Sequence, residues 1–135
     1  MKEITITAVV ENLSSVLEIV DQELEAAGAS MKVQMQVDVA IEELFVNVSR
    51  YANAPETGEV RIQIGFDKQT SALLVTFIDS GVPFDPVAKL DPDITLSAQE
   101  REIGGLGIFM AKKNMDSMEY RREDGKNILT VTKRI

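Results

Sequence analysis

Residues 43–47 read Glu-Leu-Phe-Val-Asn, and they place a carboxylate and a carboxamide four residues apart in a segment with helical periodicity. Glu43, Asn47 and Arg50 lie at i, i+4 and i+7, so they form a polar row along one side of a helix. An apolar stripe runs beside this row and comprises Val37, Ala40, Ile41, Leu44, Val48 and Tyr51. The pattern predicts a long helix, ending near Ala52, with its stripe on a sheet and its polar row facing a cleft.

The polar row has a chemical and an ordinary interpretation. The amide oxygen of Asn47 is a suitable ligand for Mg²⁺, and the carboxylate of Glu43 could polarise an attacking hydroxyl group or water. Charged residues on the flank of a helix are more often simply solvated, and Glu43 and Arg50 also fit that description. The helix alone therefore does not establish a site.

A second polar motif follows the apolar run 72–78, where residues 79–85 read Asp-Ser-Gly-Val-Pro-Phe-Asp. Asp79 could merely begin a turn by accepting backbone N–H groups, because Asp, Ser, Gly and Pro are common turn residues. Alternatively, Asp79 is a buried carboxylate that accepts a hydrogen bond from an exocyclic amine such as adenine N6. Gly81 would then let the backbone approach the ring. Both interpretations place Asp79 at the end of a strand.

The third motif is Gly104-Gly-Leu-Gly107, directly before an apolar segment with helical spacing. A glycine cluster alone is weak evidence, since it can simply end the preceding loop. At the start of a helix, however, its N–H groups and the helix dipole suit a phosphate. The Lys-Ser/Thr ending of a P-loop and the spacing of a Rossmann fingerprint are both absent. Taken together and in this order, the three motifs predict a nucleotide site.

Composition narrows the possible chemistry. The chain has 135 residues and 44% hydrophobic content, enough for one domain with its own core. Because it has no Cys and no His, a metal ion must be held by oxygen ligands, which favours Mg²⁺ or Ca²⁺. The net charge of −8 argues against a nucleic-acid partner. Without a signal sequence or an apolar run of membrane-spanning length, we expect a cytoplasmic protein that does not contact membranes.

The alternation and periodicity of apolar residues predict the fold. The predicted order is a strand at 3–10, helices at 13–28 and 30–52, strands at 60–66 and 72–78, a helix after Gly107, and a hairpin at 118–132 with its turn at 124–127. Asn12 or Ser14 is expected to cap the first helix, and Ser30 to begin the second. This order suggests an α/β fold, a two-layer sandwich in which helices cover one face of a mixed, mostly antiparallel sheet. Residues 1–135 form a single domain, and the stretch at about 86–103 is expected to be a lid.

The ordered motifs resemble those of the GHKL (Bergerat-fold) ATP-binding proteins. Glu43-x-x-x-Asn47 is similar to the N box of that superfamily, Asp79-x-Gly81 to its first glycine box and Gly105-x-Gly107 to its second. Within the superfamily, residues 79–86 and 104–111 are similar to the anti-sigma-factor serine kinases, and so is the segment 115–121. Two positions depart from the usual pattern of that subfamily: Tyr51 stands where a His is common, and Ile103 where a basic residue is common.

The resemblance implies roles for individual residues. Glu43 would be the catalytic base, Asn47 the Mg²⁺ ligand and Asp79 the adenine contact. The residues implied to line or contact the nucleotide are Asn47, Arg50, Asp79, Gly81, Arg101, Gly104, Gly105, Leu106 and Gly107. Arg50 and the lid residue Arg101 would contact phosphate, and residues 86–103 would close over the site.

The function implied by the resemblance is that of an ATP- and Mg²⁺-dependent serine/threonine protein kinase that acts as an anti-sigma factor. Its partners would be a sigma factor and a small STAS-type antagonist that it phosphorylates, and a homodimer is possible because the subfamily is commonly dimeric. The alternative is a regulatory module that binds ATP without transferring phosphate. A histidine-kinase catalytic domain fits poorly, because the chain has neither His nor a dimerisation helix pair.

Overall fold

The computed structural model describes residues 2–49, 58–83, 85–86 and 105–135. These residues form five strands, three α-helices and a 3-10 helix at Val10–Asn12. The bounds are β1 Lys2–Thr7, α1 Leu13–Ala26, α2 Met31–Asn47, β2 Glu59–Asp67, β3 Ala72–Asp79, α3 Gly105–Asn114, β4 Ser117–Glu123 and β5 Lys126–Arg134. Their order is the predicted one, and none of these helices is both long and apolar enough to cross a membrane.

The strands form one sheet in the order β1-β2-β3-β5-β4. The predicted two-layer α/β architecture is confirmed, but the sheet is not mixed where it is described, because all four pairings are antiparallel. β3 and β4, which are connected through α3, do run in the same direction. However, β5 lies between them and pairs with both, so these two parallel strands are not neighbours.

The helices pack on one face of the sheet through alternate strand residues and one stripe of each helix. The predicted stripe of α2 is buried from Val37 to Val48, and Phe45, which the stripe did not include, is also completely buried. α2 is covered on more than one side, since it packs against α3 and α1 as well as lying over the sheet. From the strands, the core takes chiefly Val60, Ile62, Ile64, Leu73, Val75, Phe77, Leu129 and Val131.

Local hydrogen bonds explain where the first two helices begin and end. The Ser30 side chain accepts from the backbone N–H of Val33 at 3.2 Å, which caps α2 as expected. Asn12 stands at the cap position of α1, but its side chain makes no capping bond and donates instead to the Thr7 carbonyl at 2.8 Å. Gly28 follows α1 with a φ of +76°, a conformation that ends the helix.

The hairpin between β4 and β5 is tighter than predicted. Its turn consists of Asp124 and Gly125, whose φ angles of 53° and 74° are those of a type I′ turn. Glu123 pairs with Lys126 across the turn, so Lys126 and Asn127 belong to β5. Asn127 therefore lies in a strand with a defined register, and its side chain shares the inner face with Leu129 and Val131.

A carboxyl pair lies at the interface of α1 and α2. Asp38 hydrogen-bonds Asp21, and the Oδ1 atom of each is buried with no hydrogen-bond partner among the described residues. Burial, the bond to Asp21 and the negative charges of Asp21 and Glu42 raise the pKa of Asp38 from 3.8 to about 7. In the folded protein this pair therefore holds a proton that the unfolded chain releases near pH 4.

We expect the free energy of unfolding to fall as the pH rises from about 4 to 7, because the folded state binds the additional proton across this range. Asp38→Asn keeps a neutral side chain at every pH, so it should flatten this slope and stabilise the protein at pH 8 by about 1 kcal/mol. This figure is discounted for solvent screening of a half-exposed pair. Denaturant unfolding at pH 5 and pH 8 measures the change. The control is Glu25→Gln, which removes the charge of an exposed residue on α1. It should leave the dependence of the unfolding free energy on pH unchanged.

Candidate functional site

Two of the predicted site residues meet beneath α2, at one end of the inner sheet face. Asp79 is the last residue of β3 and pairs directly with Asn127 of β5, while Asn47 is the last residue of α2. They share a cavity of about 20 Å³ lined by Leu44, Asn47, Val48, Phe77, Asp79, Pro86, Tyr120, Asn127 and Leu129. This volume accommodates about one water molecule, so a larger ligand requires the lining groups to move apart.

A larger depression lies on the opposite face of the sheet, on which none of the described helices packs. It has a volume of about 480 Å³, and its lining includes Arg61, Thr76, Glu119 and Thr130. It contains none of the residues predicted to bind the nucleotide or metal or to act as the base. The small cavity under α2, in contrast, combines buried polar groups with apolar walls, the composition typical of a ligand site.

Asp79 is buried, with 5% of its surface exposed, and its two side-chain hydrogen bonds to described residues use the same oxygen. Oδ1 accepts from the backbone N–H of Gly81 at 2.9 Å and from the Asn127 side-chain amide at 3.0 Å. The first of these bonds is the turn contact that the ordinary interpretation of the sequence expected. Within the described chain, Oδ2 remains available to accept a hydrogen bond from a ligand in the cavity.

Asn47 is oriented by its own helix. Its Nδ2 group donates to the Glu43 carbonyl at 2.7 Å, one turn earlier. Its Oδ1 atom is buried and has no hydrogen-bond partner in the described residues. An unsatisfied buried oxygen is destabilising unless something binds it, and an amide oxygen is a good ligand for Mg²⁺. The residue therefore fits the predicted metal role.

Metal ligation at this site would rest on few protein groups. Among the residues that the structure describes, no three or more acidic side chains come together as a possible metal site. Mg²⁺ is commonly bound by one or two protein oxygens together with water and the phosphates of a substrate. An Asn47 oxygen beside a nucleotide site is compatible with that pattern.

Glu43 lies one helical turn before Asn47 and is partly exposed. In the described chain its carboxylate makes no hydrogen bond or ion pair, whereas its backbone carbonyl accepts from Asn47. Glu42, the next residue around the helix, is exposed. Glu43 therefore lies one helical turn from the cavity-lining Asn47, and no described residue engages its carboxylate.

The glycine motif forms the beginning of α3, which starts at Gly105 and includes Leu106 and Gly107 in its first turn. Glycine in a helix interior is less favourable than alanine by roughly 1 kcal/mol, so helix propensity does not explain the glycines in the first turn of α3. A helix N-terminus carries free N–H groups and a partial positive charge. The predictions for Arg50, Arg101 and Gly104, and the lid from residue 87 onward, lie outside the described residues.

The sequence motifs miss three residues that surround Asp79. Asn127 is 4% exposed, Tyr120 lines the cavity, and Arg122 donates to the Gly81 carbonyl at 2.8 Å. A signal for Asn127 was present, since it is a polar residue in phase with the buried Leu129 and Val131. For Arg122, the sequence offered only an adjacent pair of arginines, which is usually solvated.

The comparison with known families bears directly on these motifs. A family model described as the histidine kinase-like ATPase domain matches residues 6–133. The chain belongs to this family. The matched residues include all three sequence motifs, which begin at Glu43, Asp79 and Gly105.

Individual relatives within this family are named as kinases. The serine/threonine-protein kinase BtrW of Bordetella bronchiseptica is 24% identical over 104 residues, which cover 76% of this chain and 72% of BtrW. The serine-protein kinase RsbW of Bacillus cereus is 29% identical over 95 residues, which cover 67% of this chain and 58% of RsbW. This chain therefore matches little more than half the length of RsbW.

A solved structure shows the same fold. The RsbU and RsbW domains of Rv1364c from Mycobacterium tuberculosis align with a TM-score of 0.64 and 17% identity. The alignment covers 99% of this chain and 32% of that one. At this identity the likeness concerns the fold alone, and it extends over essentially the whole chain.

Proposed function

We propose that this protein is an ATP-dependent serine/threonine protein kinase that acts as an anti-sigma factor. The observation that carries the proposal is a pair of acceptors on residues that line one cavity: the buried Oδ1 of Asn47, and Oδ2 of the buried Asp79, which accepts no hydrogen bond from the described chain. The kinase names of two relatives in the same family support the reaction type.

The nucleotide is bound at both ends by different elements. Asp79 accepts a hydrogen bond from the 6-amino group of adenine, and the backbone at Gly81 lies against the ring. Asn47 holds Mg²⁺, which when bound neutralises charge on the phosphates. The start of α3 at Gly105, where backbone N–H groups and the helix dipole suit an anion, receives the phosphate chain.

Phosphoryl transfer needs a group that accepts one proton. A serine or threonine hydroxyl of the partner attacks the γ-phosphorus of ATP, an O–P bond forms, and the bond from the γ-phosphorus to the β,γ-bridging oxygen breaks to release ADP. Glu43 takes the hydroxyl proton. Its partly exposed position, one turn from Asn47, suits a base that must meet a protein substrate arriving from solvent.

The physiological partners in this proposal are a sigma factor and a small STAS-type antagonist. The protein binds the sigma factor until the antagonist replaces it. Phosphorylation of the antagonist then ends the competition between antagonist and sigma factor for this protein. These partners place the activity in the cytoplasm, and a homodimer is the form in which we expect it to act. Support for this part comes from the resemblance to anti-sigma-factor kinases.

A second candidate is a regulatory module that binds ATP without transferring phosphate. The observation in its favour is that, in the described chain, no hydrogen bond or ion pair orients the Glu43 carboxylate. This candidate predicts nucleotide-dependent partner binding that is insensitive to a change at Glu43.

The proposal is tested with γ-³²P-labelled ATP and a STAS-type antagonist protein from the same organism. Transfer of label to a serine or threonine of the antagonist, together with ATP binding by calorimetry, is the expected result. ATP binding without transfer favours the regulatory module. Absence of ATP binding contradicts both candidates.

A further inference from the structure

Four strands contribute to a single row of side chains at the end of the sheet that holds the site. Val60 pairs with Asp79, Asp79 with Asn127, and Asn127 with Arg122. Across the adjacent strands, the row therefore presents an apolar, an acidic, an amide and a basic side chain in turn. Asn127 is its central polar member and is almost completely buried.

The Asn127 side chain connects these strands through both ends of its amide. Its Nδ2 group donates to Asp79 Oδ1 at 3.0 Å and to the Val82 carbonyl at 2.8 Å. Its Oδ1 atom accepts from the Tyr120 hydroxyl at 2.6 Å and from Arg122 at 3.1 Å. A backbone carbonyl can only accept and a guanidinium can only donate, so this amide has one possible orientation.

The same contacts fix the turn that follows Asp79. Arg122 donates to the carbonyl of Gly81, and Asn127 donates to the carbonyl of Val82, so two successive peptide groups are held from β4 and β5. The N–H of Gly81 in turn donates to Asp79 Oδ1. Rotation of the Asp79 carboxylate would break bonds to both the turn and Asn127.

We propose that Asn127 is a positioning residue that sets the base selectivity of the nucleotide site by holding Asp79 with Oδ1 occupied and Oδ2 directed to the ligand. The inference rests on the proposed function. It assigns to Asn127 the preference of the nucleotide site for 6-amino purines over 6-oxo purines. A carboxylate oxygen attracts the amino group of adenine and repels the carbonyl oxygen of guanine. Asn127 and Tyr120 also line the cavity, but the selectivity assigned to Asn127 acts through the orientation of Asp79.

Asn127→Asp tests the assignment with almost no change in shape. The variant places a second carboxyl beside Asp79, and two carboxyl groups at this distance share a proton, so Asp79 no longer presents a fixed acceptor. We expect the Kd for ATP to rise about tenfold and the Kd for GTP to change little, so that the selectivity ratio falls about tenfold. Calorimetry with ATP and GTP, each with Mg²⁺, measures both constants.

Asn12→Asp is the matched control, because it makes the same chemical change at an amide that donates to a backbone carbonyl away from the cavity. It should keep the wild-type ratio. Tyr120→Phe is the second variant: it removes only the hydroxyl that bonds Asn127 Oδ1, and it should lower the ratio about threefold. It decides the question if Asn127→Asp does not fold, as judged by thermal unfolding.

A wild-type ATP-to-GTP ratio in the folded variants overturns the assignment of Asn127 while leaving the proposed function intact. Wild-type protein that binds neither nucleotide overturns the proposed function and this assignment with it. A fall in the ratio caused by weaker ATP binding, with the control unchanged, supports the assignment.

Discussion

Glu43→Gln is expected to slow phosphoryl transfer to the partner protein by about 10²–10⁴-fold, the usual contribution of a general base. Glutamine has nearly the same shape as glutamate but cannot take the hydroxyl proton. ATP binding should change little, because the binding groups in the proposal are Asn47, Asp79 and the start of α3. Single-turnover transfer of ³²P measures the rate, and calorimetry measures the affinity.

Glu42→Gln provides the control for this experiment. It removes the same charge from the adjacent position, whose side chain points away around the helix and is exposed. Its transfer rate should be that of the wild type. Equal rates for Glu43→Gln and wild type would show that Glu43 is not the base and would favour a module whose role is binding alone.

Asn47→Leu is expected to change binding and stability in opposite senses. Loss of the Oδ1 ligand should weaken Mg²⁺-dependent ATP binding by roughly 100-fold. The free energy of unfolding without nucleotide should rise by about 1 kcal/mol, because leucine has the same branched outline and removes a buried oxygen that has no partner in the described chain. Denaturant unfolding with and without Mg²⁺-ATP measures both effects.

Asn114→Leu is a close control, because Asn114 makes the same contact on another helix. Its Nδ2 group donates to the Met110 carbonyl one turn earlier, at 2.8 Å, but in an exposed position. This variant should show no gain in stability and no change in ATP binding. A loss of stability in Asn47→Leu would mean that Oδ1 of Asn47 is satisfied in the folded protein, and the metal role would lose its support.

The sequence predicted those parts of the site that depend on local pattern. The spacing of Glu43 and Asn47 within one helix, and the position of Asp79 at the end of an apolar strand, follow from periodicities of 3.6 and 2 residues. The ordinary interpretation of Asp79 as a turn residue was also partly right, since its side chain does accept the N–H of Gly81 in the turn that follows. The start of α2 after Ser30 and the end of α1 before Gly28 were also predicted, because they too depend on local sequence.

The sequence did not predict what depends on which strands become neighbours. Asn127 is 48 residues from Asp79, and their contact exists because β5 inserts beside β3 in one register. The type I′ turn at Asp124 and Gly125 sets the pairing of β5 with β4, and the predicted turn at 124–127 was two residues too long. Phe45 was missed for a similar reason, because its burial depends on how helices pack around α2 and not on one stripe.

The placement of β5 in the middle of the sheet also orders events during synthesis. Among the described strands β5 leaves the ribosome last, yet it must insert between β3 and β4, which precede it. Until it does, β3 has an open edge, which is prone to pairing with other chains. Asp79 also lacks its Asn127 partner during this time. If Asp79 binds the nucleotide as proposed, a nascent chain in which β5 has not yet inserted has an incompletely ordered site, so we expect nucleotide affinity to develop with closure of the sheet.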